Sequence, residues 1–135
     1  FDLRLLEAGE QQASTFNIKL KTIPKPDELL NEGSIIKIGN YELKILFTPG
    51  HTSGEICLYI PEAKLCIAGD VLFQGSIGRT DLWGGNLKTL LNSIRTKLFV
   101  LPDDTIVYPG HGHETTIGEE KKFNPFLNET DLSSE

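Results

Sequence analysis

Cysteine is scarce in this sequence: Cys57 and Cys66 are the only two in 135 residues, and no Cys-x-x-Cys occurs. That excludes a disulfide scaffold and a thiolate zinc finger. Two thiols set inside apolar strand patterns fit a reducing, cytoplasmic compartment. Basic residues are also in the minority, with 13 Lys+Arg against 19 Asp+Glu and a formal net charge of −6. General binding to nucleic acid or to an anionic membrane needs basic patches, so neither is expected as a partner. No apolar run approaches the ~20 residues of a membrane span. Internal repeats and low-complexity segments are absent as well. What is present is ordinary globular composition, 39% hydrophobic and 24% charged. The length is near the ~150-residue prior for one domain. The abrupt start at Phe1 leaves open whether that domain is complete.

Hydrophobic periodicity predicts the elements. Asp2 to about Ser14 reads as a helix, with Leu3, Leu6 and Ala13 on one face and Gly9 weakening its middle. Phe16–Leu20 alternates too briefly to be more than a loop, and Pro24, Pro26 and Asp27 mark an exposed connector. Ile36 and Ile38, a Gly39-Asn40 turn, then Tyr41 to Phe47 form a hairpin at period two. Glu55–Ile60 and Leu65–Ala68 are strands joined by a tight turn over Pro61–Lys64. The near-continuous apolar character of Leu65–Ala68 predicts burial on both faces. Leu87, Leu90, Leu91, Ile94 and Leu98 share one helical stripe, with Asn86 as N-cap and Arg95 and Lys97 near the C-terminus. Thr105–Tyr108 is a short strand. Thr116-x-x-Glu119 is a capping box, Glu119 to Phe123 forms a short helix stopped by Asn124-Pro125, and a polar tail follows from Asn128. Strands arriving as consecutive hairpins predict an α+β fold, with an antiparallel or mixed sheet and helices on one face.

The suggestive polar residues sit at strand ends. His51 lies in Thr48-Pro49-Gly50-His51-Thr52-Ser53-Gly54, Asp70 in Ala68-Gly69-Asp70-Val71-Leu72-Phe73, and His111 and His113 in Tyr108-Pro109-Gly110-His111-Gly112-His113. Taken singly, a Gly-His in a loop reads as a turn and an aspartate after a strand as a cap. Three strand ends that each carry an imidazole or a carboxylate favour convergence on a metal. Other chemistries fit less well. Cys57 and Cys66 read as core thiols, Ser53 lacks the Gly-x-Ser-x-Gly context, and Gly75-Ser76-Ile77-Gly78 lacks the Lys-Ser/Thr of a phosphate loop.

Those three segments resemble, in order, the third, fourth and fifth motifs of the metallo-β-lactamase superfamily. Gly75-Ser76-Ile77-Gly78-Arg79-Thr80-Asp81, Thr115-Thr116-Ile117-Gly118-Glu119-Glu120 and Asn124-Pro125-Phe126-Leu127 are similar to the short glyoxalase II-like (hydroxyacylglutathione hydrolase-like) hydrolases. The similarity runs from about Phe1 to Leu127. It implies a metallo-β-lactamase-like αββα sandwich with a two-metal site at one edge. By motif position, His51 would bind one metal, His111 the other, and Asp70 would bridge them. The implied cofactors are two divalent metal ions, zinc first, with iron or manganese as alternatives. His113 matches no ligand position and is expected to be exposed. Arg79 would meet an anionic group of the substrate, or form a surface ion pair.

The implied reaction is hydrolysis of a small-molecule thioester, an acylglutathione, to acid and thiol. The sequence departs from the family in one large respect. No histidine precedes His51, so the His-x-His-x-Asp-His motif and its four ligands are missing. Residues 1–135 are therefore expected to be the C-terminal portion of one metallo-hydrolase domain, inactive alone, with ~60–80 residues preceding it. Persulfide dioxygenase, with one iron held by two histidines and an aspartate, is the rival on the same fold. A noncatalytic interaction module is the rival from another class. β-Lactam hydrolysis is disfavoured because no zinc-binding cysteine stands near Asp70.

Overall fold

The computed structural model describes residues 2–3 and 25–128. The chain divides into two compact units, Phe1–Leu30 and Asn31–Glu135. The helix expected from Asp2 to about Ser14, the Phe16–Leu20 loop and the tail beyond Asn128 lie outside the described residues, apart from Asp2 and Leu3. In the first unit residues 25–30 form neither helix nor strand, in line with a connector.

The second unit is a mixed sheet with helices. Strand β1 (Ile35–Ile38) pairs antiparallel with β2 (Tyr41–Phe47) through the expected Gly39-Asn40 turn, Ile38 opposite Tyr41. Strand β3 (Ile56–Ile60) follows antiparallel to β2, and β4 (Leu65–Gly69) antiparallel to β3. A 3₁₀ turn at Pro61–Ala63 joins β3 to β4, closed by Lys64 with φ 50°. Two elements escape a periodicity search because each strand has two residues. They are the hairpin β5 (Leu72–Phe73) with β6 (Ser76–Ile77), and the strand β8 (Thr115–Thr116). Strand β7 (Ile106–Pro109) pairs parallel with β4, so the six-stranded order is β1-β2-β3-β4-β7-β8.

The expected Leu87–Leu98 helix begins as α1 (Leu87–Ser93), capped by the Asn86 side chain, which accepts from Thr89 N at 3.0 Å. Its continuation, Ile94–Leu98, widens into a π-helical turn in which Phe99 N reaches Ile94 O at 2.9 Å. Within that turn the Thr96 hydroxyl donates to the Asn92 carbonyl at 2.7 Å, a back-bond that competes with the regular i→i−4 pattern. Leu90, Leu91, Ile94 and Leu98 are buried as the stripe predicts, whereas Leu87 at the first turn is 46% exposed. Helix α2 (Ile117–Phe123) starts two residues earlier than expected, with Thr116 Oγ1 accepting from Glu119 N at 3.2 Å. A further short helix, α3 (Pro125–Asn128), follows Asn124.

The core forms where one sheet face meets α1 and its π turn. Cys57, Cys66, Ala68 and Val107 pack with Leu90, Leu91, Ile94, Leu98 and Ile117. Each fully buried Leu or Ile contributes about 1.5–3 kcal/mol. Strand β4 corrects one expectation. Cys66 and Ala68 are buried, but Ile67 between them is 41% exposed on the opposite face, as is Tyr108 beside it at 43%. A continuous apolar run reports how a strand is paired at both edges, not that both its faces are covered by described residues. The Thr105 hydroxyl is buried without a partner among the described residues. Thr105→Val is expected to raise stability by about 1 kcal/mol, since it removes an unsatisfied buried group at constant shape. A urea midpoint that falls instead would contradict this. No helix among the described residues is long and apolar enough to cross a membrane.

Candidate metal centre

Topology brings the three strand ends together. Strands β2 and β4 are both antiparallel to β3, so they run the same way, and β7 runs parallel to β4. The C-terminal ends of all three therefore lie at one edge of the sheet, and His51, Asp70 and His111 follow them.

Each segment is held locally. The His51 loop is seated on α1: Asn86 N donates to Gly50 O at 2.7 Å and the buried Ser93 hydroxyl donates to Pro49 O at 2.7 Å. Gly50 has φ +139°, and a Cβ there would lie 2.3 Å from the Leu90 Cα, so only glycine allows this approach. Gly110 N donates to Gly69 O at 2.7 Å, tying the backbone before His111 to the backbone before Asp70. Gly78 N donates to Val71 O at 3.2 Å and closes the base of the β5–β6 hairpin.

The Asp70 carboxylate sits between two imidazoles. His111 Nδ1 lies 2.9 Å from Oδ1, and His51 Nε2 lies 3.5 Å from Oδ2. The other His51 nitrogen, Nδ1, is 2.8 Å from the Arg79 backbone carbonyl. A carbonyl only accepts, so Nδ1 carries a proton, and a neutral ring in this orientation has its lone pair on Nε2. That lone pair faces a carboxylate oxygen. Two electron-pair donors held face to face call for a cation or a proton between them. The His51 side chain is 17% exposed and that of His111 79%, with the Phe73 ring edge-on to the His111 ring at 6.1 Å.

The donor set fits part of a two-metal centre. One carboxylate offers an oxygen to each side, and each side has one imidazole. Among the described residues no group of three or more His, Cys, Asp and Glu is placed to hold a metal ion by itself. His113 is exposed, as expected. Cys57 and Cys66 are fully buried, and the Cys66 thiol, together with burial, pushes the Cys57 thiol well up, so neither suits a nucleophile.

Arg79 was expected at an anionic substrate group or in a surface ion pair. Its guanidinium forms a two-pronged bond with Asp81, Nε to Oδ1 at 2.7 Å and Nη2 to Oδ2 at 2.8 Å. That contact holds the Asp81 carboxyl at about 2. Depression in the folded state means the pair stabilises above the ordinary carboxylate range and loses this contribution as pH falls through about 2. In Arg79→Ala the Asp81 carboxyl should titrate near ~4 by NMR; an unchanged low value would show that Arg79 is not the cause. The part of Arg79 that reaches His51 is its backbone carbonyl. No side-chain pattern signals a backbone contact, and the Phe73–His111 pair is equally invisible before folding.

Comparison with known proteins accords with this geometry. The model of the metallo-beta-lactamase superfamily matches residues 3–111. Hydroxyacylglutathione hydrolase GloC of Haemophilus influenzae is 48% identical over 128 residues, which are 94% of this chain and 60% of that protein. Among solved structures, the B3 metallo-beta-lactamase BLEG-1 is similar with TM-score 0.83 at 40% identity, over 94% of this chain and 62% of that one. TTHA1623, solved in a di-iron-bound form, has TM-score 0.82 at 39% identity, over 93% of this chain and 61% of that one. The chain thus spans about three-fifths of the length of these proteins. With the motifs in order, the strand ends converged and the family model matched over most of its length, this chain belongs to the metallo-beta-lactamase superfamily.

Proposed function

We propose that the full protein carrying this chain is a metal-dependent thioester hydrolase of the glyoxalase II type, converting an acylglutathione to the acid and free glutathione. The observation that carries this reading is the Asp70 carboxylate held with one oxygen toward His51 and the other toward His111. The name and 48% identity of the Haemophilus relative support the substrate class. His51, Asp70 and His111 would hold two divalent ions, zinc first, with iron or manganese as alternatives. Residues 1–135 would form the C-terminal portion of one metallo-hydrolase domain, the remaining donors lying elsewhere in the protein. The proposed setting is the cytoplasm.

The metals, when bound, supply Lewis acidity and a nucleophile from water near neutral pH. The chain's own residues fix the frame. Asp70 places negative charge between the two imidazoles. The Arg79 carbonyl holds the His51 ring so that Nε2 keeps its lone pair. A thiolate leaves readily, so no side chain here is assigned as a strong general acid. The Arg79 guanidinium would exchange Asp81 for an anionic group of the substrate.

The test is turnover of S-lactoylglutathione by the metal-loaded full-length protein, followed as free thiol. Hydrolysis that is lost on chelation and restored by metal is expected. Oxygen uptake on glutathione persulfide with a single iron would replace this reading with the dioxygenase. Efficient β-lactam cleavage in its place would make the protein a lactamase. Inactivity toward all three would favour the interaction module.

A further inference from the structure

The β5–β6 hairpin touches every member of the site. One arm continues from Asp70. The other leads through Gly78 to Arg79, whose carbonyl holds His51 Nδ1. Phe73, on the first arm, meets the His111 ring. Yet each arm is a strand of only two residues. A two-stranded hairpin of ordinary length is already marginal on its own, so something outside it must hold this one.

Part of that hold is the core, in which Leu72 and Ile77 are buried; at the hairpin tip it is a buried polar cluster. Glu120 on α2 is 3% exposed, and Asn124 after it is fully buried. Glu120 Oε1 accepts from Gly75 N at 2.9 Å and from Asn124 Nδ2 at 2.9 Å, while Oε2 accepts from the Thr115 hydroxyl at 2.5 Å. Asn124 Nδ2 also donates to Ser76 O at 3.0 Å, and its Oδ1 accepts from Phe126 N at 3.0 Å. Burying a carboxylate is costly unless its oxygens are satisfied, and here both are. These bonds end on the hairpin, on β8 and within the helical segment, not on His51, Asp70 or His111.

We propose that Glu120 and Asn124 are positioning residues: they clamp the tip of the hairpin, and the hairpin sets the Asp70 carboxylate and the His51 ring. The clamp rests on His51, Asp70 and His111 being the site, but its test reads ring and backbone geometry rather than turnover. A protein that fails to hydrolyse thioesters and still shows the shifts below loses the proposed reaction and keeps the clamp.

The experiment uses the chelator-treated full-length protein and two NMR readouts, the His51 ring tautomer and exchange of the Gly78 amide. In Glu120→Ala the His51 ring is expected to lose its preference for a protonated Nδ1, and Gly78 exchange to quicken at least about tenfold. Glu120→Gln is expected to restore both, because its amide can accept from Gly75 and Asn124 and donate to the Thr115 hydroxyl. Ile117→Val, a core change on the same helix, is expected to move neither. An unchanged tautomer and unchanged Gly78 exchange in folded Glu120→Ala would overturn the proposal. Should Glu120→Ala not fold, exchange in the unsubstituted protein decides. Similar protection of the Gly75 and Gly78 amides is the expected result, and a Gly75 amide about tenfold less protected would overturn the clamp.

Discussion

Replacing Asp70 by alanine in the full-length protein is expected to abolish two-metal loading while leaving the fold intact. Two divalent cations ~4 Å apart repel by on the order of 4 kcal/mol even in water, four times the value for unit charges. The carboxylate, with one oxygen directed toward each imidazole, would offset that repulsion. Its side chain is 35% exposed, so removal opens a surface site rather than a core cavity. Thioester turnover should fall by on the order of 10³ or more, the several kcal/mol that metal polarisation supplies. Asp70→Asn keeps the shape and loses the charge, and should fail nearly as badly. Elemental analysis beside circular dichroism checks this. Two metals per chain in folded Asp70→Ala would eliminate Asp70 as the bridge.

Gly78→Ala is expected to damage stability and the site together. A Cβ on Gly78 would stand 1.8 Å from the Asp70 backbone carbonyl oxygen and 3.3 Å from the His51 Cβ. The first obstacle is backbone, so no rotamer change relieves it. The hairpin base must open and Asp70 must move. A cost of about 3 kcal/mol is expected, at the upper end for overpacking, with metal affinity lost in the same step. Urea unfolding at unchanged m-value measures the first effect and metal content the second. A midpoint within error of the parent protein would refute the close approach of the hairpin base to Asp70.

Much of this was legible before folding. Alternation at period two located β1 and β2 to within a residue, and apolar runs on either side of the Pro61–Lys64 turn located β3 and β4 as closely. The Asn86 and Thr116 caps were legible because short polar side chains satisfy open N–H groups at helix starts. The site residues were legible as types: imidazole and carboxylate after glycine, at strand ends. The β5–β6 hairpin was not legible, since two-residue strands carry no period. Nor was Arg79 as a backbone acceptor for His51, since every residue has a carbonyl. Nothing in the capping-box helix marks Glu120 for burial, yet it is buried, because its partners lie 45 residues away at Gly75 and close by at Thr115 and Asn124.

The sequence by itself determined the α+β character, the family motifs and which residues are the candidates for chemistry. Local patterning sets strands and caps, and an ordered motif set survives in the chain whatever its partners are. Only the tertiary structure decided that the chemistry converges. His51 and Asp70 share an edge because two antiparallel pairings return β4 to the direction of β2. His111 joins them because β7 runs parallel to β4. Had that one pairing been antiparallel, the same histidine would stand a strand's length away, at the far end of the sheet. Strand direction is settled by the crossover through α1 and by core packing, not by any residue of the motif.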